Sequence, residues 1–202
     1  MSGDDRLNEY QGKRDFSKSP EPRGASGSST EEPVFVIQQH KASTMHYDFR
    51  IEYDGVLASW AVPKGPSLDP GDKRLAVRAE DHPLEYARFE GTIPEDEYGG
   101  GAVIVWDSGT YENASEKNGE RLSIAQALDA GHVRVRLHGT KLSGGFSLIH
   151  TRMRGKDTSW LLIKEQDADA DARRNPVSTE PESIISGLTV DEMEDRMQEA
   201  DT

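Results

Sequence analysis

The segment His40-Lys-Ala-Ser-Thr-Met-His46-Tyr-Asp48-Phe-Arg50-Ile-Glu52-Tyr53 gathers side chains able to do chemistry. In an extended strand, successive side chains point to opposite faces. His46, Asp48, Arg50 and Glu52 then share one face, and Tyr47, Phe49, Ile51 and Tyr53 share the other. The second face is apolar and aromatic and belongs against a core. From a rise of about 3.3 Å per residue, His46 and Asp48 stand about 6–7 Å apart along the strand, close enough to hold one metal ion between them. His40 precedes them across a short loop and can fold back as a third ligand. Two imidazoles and a carboxylate with open positions suit Mn, Fe or Zn. Such an ion polarises a phosphoryl oxygen or lowers the pKa of a bound water. Arg50 lies on the same face as Asp48, where a guanidinium can grip a phosphate with two hydrogen bonds. Metal ligands beside a phosphate clamp predict phosphoryl chemistry. The competing readings are a solvated polar strand face and a purely structural metal site. The apolar opposite face argues against the first, and Arg50 against the second.

Downstream groups can complete such a site. GDKRLAVRAEDHPLEYARFEG carries Arg74, Arg78, His82 and Tyr86. On a strand, Arg74, Ala76, Arg78 and Glu80 share a face, and His82 follows in a DHP turn. A histidine beside a phosphate can give a proton to a leaving oxygen. Lys64, in the rigid PKGP turn, either contacts a phosphate or is simply solvated, the second reading being slightly preferred. EYGGG, from Glu97 to Gly101, lacks the Lys-Ser/Thr of a phosphate-binding loop and is read as a tight turn. His132, His138 and His150 are scattered on later strands and are read as structural or surface residues.

The elements that must position these groups come from the middle of a 202-residue chain. Short runs rich in β-branched and aromatic residues begin at VFVIQQH and HYDFRIEY, followed by a DG turn and VLASWAV, a hairpin pattern. RLAVRAE, ARFEG, AVIVWDSGTYE, HVRVRLHG, FSLIHTRM and SWLLIKE follow, punctuated by Gly, Pro and Asp. Many closely spaced strands predict a mainly β fold, an antiparallel barrel or sandwich. One central helix is expected over SIAQALDAG, with Ser123 as N-cap and Gly131 just past its end. Thr189 and Glu192 form a capping-box pattern before DEMEDRMQEA, an acidic helix too short to be stable alone. Residues 1–32 are rich in Ser, Pro, Gly and Glu and read as a flexible arm. Residues 33–165 form the barrel, and 166–202 an acidic tail.

Composition excludes several classes. Without cysteine there is no disulfide framework, thiolate zinc site or cysteine nucleophile. No apolar run reaches the roughly 18 residues needed to span a membrane, and the N-terminus has no secretory pattern. A soluble, cytoplasmic protein with no membrane partner is expected. The net charge of −13 argues against whole-surface nucleic-acid binding. Much of the acid lies near the C-terminus, leaving room for a local basic site.

HYDFRIE, SWAVPKGPSLDP, KRLAVRAEDHPLEYARFEGTIP, EYGGGAVIVWDSGTY and KLSGGF resemble, in this order, the 3′-phosphoesterase module of the DNA ligase D family. The resemblance runs from about Asn8 to Glu165. It implies a compact β-barrel and a Mn2+-dependent prokaryotic enzyme, with Co2+ or Zn2+ as other candidate ions. Such an enzyme removes a terminal ribonucleoside from a DNA 3′ end and then the remaining 3′-phosphate, leaving a 3′-hydroxyl for a separate DNA ligase. By resemblance, His40, His46 and Asp48 match metal ligands, and Arg50 and His82 match residues at the scissile phosphate. Tyr86, Arg74 and Gln38 match positions that support activity. Arg14, Asp15 and Glu21 match an N-terminal element tied to ribonucleoside removal, which makes the arm a segment that orders on substrate. Thr44-Met45 departs from the basic residue and Leu expected there, and the tail lies outside the resemblance. The alternatives are a non-catalytic DNA-end-binding module that recruits a ligase, and a phosphoesterase acting mainly on RNA ends.

Overall fold

The computed structural model describes residues 3–24, 32–151 and 158–200. The strands are β1 (Val34–Lys41), β2 (Met45–Tyr53), β3 (Val56–Val62), β4 (Arg74–Arg78), β5 (His82–Pro83), β6 (Gly91–Ile93), β7 (Gly101–Asn113), β8 (Glu116–Lys117), β9 (Glu120–Arg121), β10 (His132–Gly139), β11 (Ser143–His150) and β12 (Ser159–Lys164). Eight of them close a ring in the order β1-β2-β3-β4-β12-β11-β10-β7, with β7 returning to β1. All the pairings are antiparallel. The expected barrel is therefore present, and closure leaves the ring without an exposed edge.

Alternation divides the wall into two faces. Phe35, Ile37, Tyr47, Phe49, Ile51, Trp60 and Trp106 fill the interior with Val133, Val135, Leu137, Phe146, Leu148 and Trp160. The register of β1 on β7 shifts between Ile37 and Gln38. This bulge gives β7 one extra residue, Trp106, whose buried ring lies 5.4 Å from Tyr47. On the outer face Val36, Leu57 and Val105 form a second apolar cluster with Tyr10 and Tyr86. The unshifted β1–β2 pairing sets His40 opposite His46, Gln38 opposite Asp48 and Val36 opposite Arg50, so the polar row stands on this outer wall.

The helix of SIAQALDAG is α2 (Ile124–Ala130), which follows α1 (Gly3–Gly12) in the chain. Ser123 and Gln126 close its capping box, and Gly131 ends it at φ 76°. Two expectations differ. ARFEG does not form one strand: Leu84–Arg88 is a 3-10 turn begun after Pro83, and Gly91 opens β6. The turn is held because the Gln38 amide donates to the carbonyls of Tyr86 and Phe89, each at 3.0 Å. The composition of residues 1–32 also hides a helix. In α1, Leu7 and Tyr10 are fully buried, and α1 packs against β3 and β5. Two well-placed apolar residues anchor what mean composition reads as an unstructured arm.

In the tail, Pro176–Thr179 is α3 and Val190–Ala200 is α4. The expected capping box is formed, with Thr189 N–H donating to Glu192 and Glu192 N–H to the Thr189 hydroxyl. The helix is not left alone: Val190 and Met193 pack against Ala102 and Ile104.

Phe49 is 1 % exposed at the centre of the interior. Phe49→Ala should lower the unfolding free energy by about 3–5 kcal/mol, read as a reduced urea midpoint at unchanged slope.

Candidate active site

A cleft on the outer wall is lined by His40, His46, Asp48 and Arg50 from β1 and β2, by Glu80, His82 and Tyr86 from the segment that crosses over them, by Arg14 and Glu21 from the arm, and by Tyr98 and Gly99. The crossing segment reaches the wall through β5, where His82 pairs with Leu57.

One donor atom from each of His40, His46 and Asp48 lies within 4.8 Å of the others. Both rings are oriented by carbonyls. His40 Nε2 lies 2.8 Å from the Gly99 carbonyl, and His46 Nδ1 lies 3.0 Å from that of Thr44. A carbonyl only accepts, so the nitrogens facing it carry the protons. The lone pairs are then His40 Nδ1 and His46 Nε2, which lie 3.7 and 3.6 Å from the two oxygens of Asp48. Fixing the remote nitrogen in this way is what prepares a histidine to bind a metal. The donor set thus fits a divalent transition ion, and the turn read in EYGGG supplies an anchor through Gly99.

Asp48 is 8 % exposed. Burial works against its charge, but opposing electrostatics led by the Arg50 guanidinium hold its carboxyl well below the usual range. Arg50 Nη2 donates to Asp48 at 3.0 Å, and its Nε to the Gln38 side chain at 2.8 Å. Its guanidinium carbon lies 4.9 Å from the Tyr86 ring centre. Gln38 thus ties Arg50 to the crossing segment. Glu52 is placed otherwise: it accepts the Val34 N–H and serves the fold.

His82 is 4 % exposed, with Nδ1 2.9 Å from the Glu80 carbonyl and Nε2 3.4 Å from Arg14 Nη2. The carbonyl takes the Nδ1 proton, and the guanidinium faces the Nε2 lone pair. Burial, then Arg50 and Arg14, push its pKa well below the ordinary value, so the ring is neutral. Arg14 also donates to Glu21 at 2.9 Å and to Glu80 at 3.2 Å. The Tyr86 hydroxyl donates to Glu21 at 3.0 Å, and burial keeps that phenol protonated.

The structure therefore brings His40, His46, Asp48, Arg50, His82, Tyr86, Arg14 and Glu21 into one cleft, with Gln38 behind them. It does not bring in Arg74 or Asp15. Arg74 pairs with Asp72 at 2.8 Å on a strand further round the barrel. Asp15 is exposed and accepts the Ser17 N–H and hydroxyl, closing a turn of the arm. Lys64 is exposed, as expected. Tyr98 and Gly99 were missed. A turn beside a strand carries no alternation that would mark them as facing the site.

The DNA Ligase D 3'-phosphoesterase domain family model matches residues 38–150. The Multifunctional non-homologous end joining protein LigD of Pseudomonas aeruginosa is 47 % identical over 188 residues, which is 91 % of this chain and 22 % of that protein. The Multifunctional non-homologous end joining DNA repair protein LigD of Mycobacterium tuberculosis is 49 % identical over 148 residues, 73 % of this chain and 18 % of its own. The LigD protein of Mycolicibacterium smegmatis is 43 % identical over 169 residues, 81 % of this chain and 21 % of its own. The chain thus spans about a fifth of the length of these relatives.

The depressed pKa of His82 has a sign in stability. Below its unfolded value of about 6.5, the unfolded chain binds a proton that the folded chain does not, so acid weakens the fold. His82→Asn removes this proton-binding difference. The fall in urea-unfolding free energy between about pH 7 and pH 5 should become shallower, by at most about 1.4 kcal/mol per pH unit. An unchanged slope would show that burial leaves the ring titrating as it does in the unfolded chain.

Proposed function

The chain belongs to the DNA ligase D 3′-phosphoesterase domain family, and from that premise we propose that it is a Mn2+-dependent enzyme that heals DNA 3′ ends. It removes a 3′-terminal ribonucleoside and then the 3′-phosphate, leaving a 3′-hydroxyl for a DNA ligase in the prokaryotic cytoplasm. The observation that carries this reading is the convergence of three metal-ligand atoms within 4.8 Å, beside a buried arginine and a buried neutral histidine.

When bound, the ion supplies Lewis-acid polarisation of a phosphoryl oxygen and a more acidic water. Co2+ and Zn2+ suit the same donors. His40, His46 and Asp48 hold it. Arg50 keeps one edge on Asp48 and turns its charge to the transferring phosphate, where it stabilises the developing negative charge. Neutral His82 has its Nε2 in the same cleft. The arriving phosphate charge offsets the repulsion from Arg14 and Arg50, so Nε2 takes up a proton and passes it to the leaving oxygen. In the first step water attacks phosphorus and the bond to O5′ of the terminal ribonucleoside breaks. In the second, water attacks again and the bond to O3′ breaks. Glu21 positions Arg14 and Tyr86 rather than meeting the phosphate, since a carboxylate there repels it. Arg74 and Asp15 act from outside the cleft, through the fold and the arm respectively.

A primer–template with one 3′-terminal ribonucleotide provides the test. With Mn2+, a shortened 3′-phosphate strand and then a 3′-hydroxyl strand should accumulate, and neither should form after chelation. His46→Ala or Asp48→Ala should abolish both steps, and activity surviving either change would refute the metal assignment. Glu21→Ala should impair ribonucleoside removal more than phosphate removal, whereas equal loss of both would refute the role given to the arm. Binding of ends without turnover, persisting in Asp48→Ala, would identify a recruiting module instead.

A further inference from the structure

Tyr98 is 49 % exposed, and it is the one exposed large apolar side chain among the described residues that lines the cleft. It also lines the groove beside the cleft, with Arg6, Lys13 and Arg78. Its backbone leads directly to Gly99, whose carbonyl orients His40 at 2.8 Å. Lys13 Nζ lies 5.1 Å from the centre of its ring, and the Arg14 guanidinium 5.3 Å. The ring is thus steadied by two cations while half its surface faces water.

Among the described residues, the cations lining the cleft and groove are already paired. Arg6 pairs with Asp54 at 3.0 Å, Lys13 with Glu9 at 2.7 Å and Glu80 at 3.1 Å, Arg14 with Glu21 at 2.9 Å, Arg50 with Asp48 at 3.0 Å, and Arg78 with Asp81. Along the described walls of the cleft and groove, backbone phosphates beyond the reacting one find little free positive charge. Affinity for a strand by counterion release is correspondingly weak. Stacking on an aromatic ring is an alternative that does not depend on charge, and it tolerates any sequence because every base has a π-face.

Resting on the end-healing reading, we propose that Tyr98 is the platform on which the base of the 3′-end nucleotide stacks, setting the distance from that base to the metal ligands. The cleft then accepts ends of any sequence and discriminates against a nucleotide without a base. Tyr98 is a substrate-binding residue in this scheme and takes no part in proton transfer.

The experiment compares wild type, Tyr98→Ala and Tyr98→Phe on 3′-phosphate primers whose terminal nucleotide carries a base or is abasic, with Mn2+. For base-bearing ends Tyr98→Ala should raise KM about 10-fold, with kcat little changed and Tyr98→Phe close to wild type. On the abasic end all three proteins should share the raised KM. Equal KM for both ends in wild type, or an equal loss on both ends in Tyr98→Ala, would overturn the proposal, the latter showing that the ring only braces the Gly99 turn. A terminal 2-aminopurine separates this proposal from the reading it rests on. Its fluorescence should be quenched on binding to wild type and Tyr98→Phe, but not to Tyr98→Ala. Quenching without any turnover would sink the phosphoesterase reading and keep the platform; turnover without Tyr98-dependent quenching would do the reverse.

Discussion

The carboxylate of Asp48 is the point on which the site converges. A buried carboxylate is tolerable only when its charge is met, and leaving one partnerless would cost several kcal/mol. Arg50 meets it from two residues along the same strand, and the His40 and His46 nitrogens flank it from the facing strand and the strand's own start. The two charges must sit on one face of β2, which fixes that strand's register, and the register of β2 in turn fixes β1. Gln38 extends the dependence to the crossing segment and so brings His82 and Tyr86 over the wall.

Two shells of packing support this arrangement in different ways. The interior aromatics make the wall rigid, which is what a constellation of ligands needs. The outer cluster is thinner. Tyr10 and Phe16 from the arm and Leu84, Ala87 and Phe89 from the crossing segment cover Val36, Leu57 and Val105. That cover carries Arg14, Glu21, Glu80 and His82 into place. The charged groups of the cleft are thus held by this smaller outer layer rather than by the interior core.

Alternation made the wall legible in the sequence. HYDFRIEY reports its own two faces, and the polar row at His46, Asp48 and Arg50 needed only the identity of the strand to become a cluster. His82 was legible as chemistry but not as geometry, because its place depends on the pairing of β5 with β3, far away in sequence. The same limit applies to Gly99, whose contribution is a carbonyl, a group every residue possesses. The arm was obscured for another reason: averaging over residues 1–32 diluted Leu7 and Tyr10, whose burial orders α1. Conversely Arg74 shares a strand with Arg78, but it pairs with Asp72 and does not line the cleft. Family resemblance points to such residues as candidates without saying what they touch.

The placement of the cleft on the outside of the barrel separates two demands that compete in most enzymes. Where an active site is hollowed from the core, its polar groups displace packing, and gains in robustness tend to be taken from turnover. Here the wall acts as a partition: Phe35, Phe49, Trp60 and Trp160 fill one side, and the reactive groups line the other. The interior can therefore be redesigned for heat resistance with the polar side left as it is, and the lining of the cleft can be varied on an unchanged barrel.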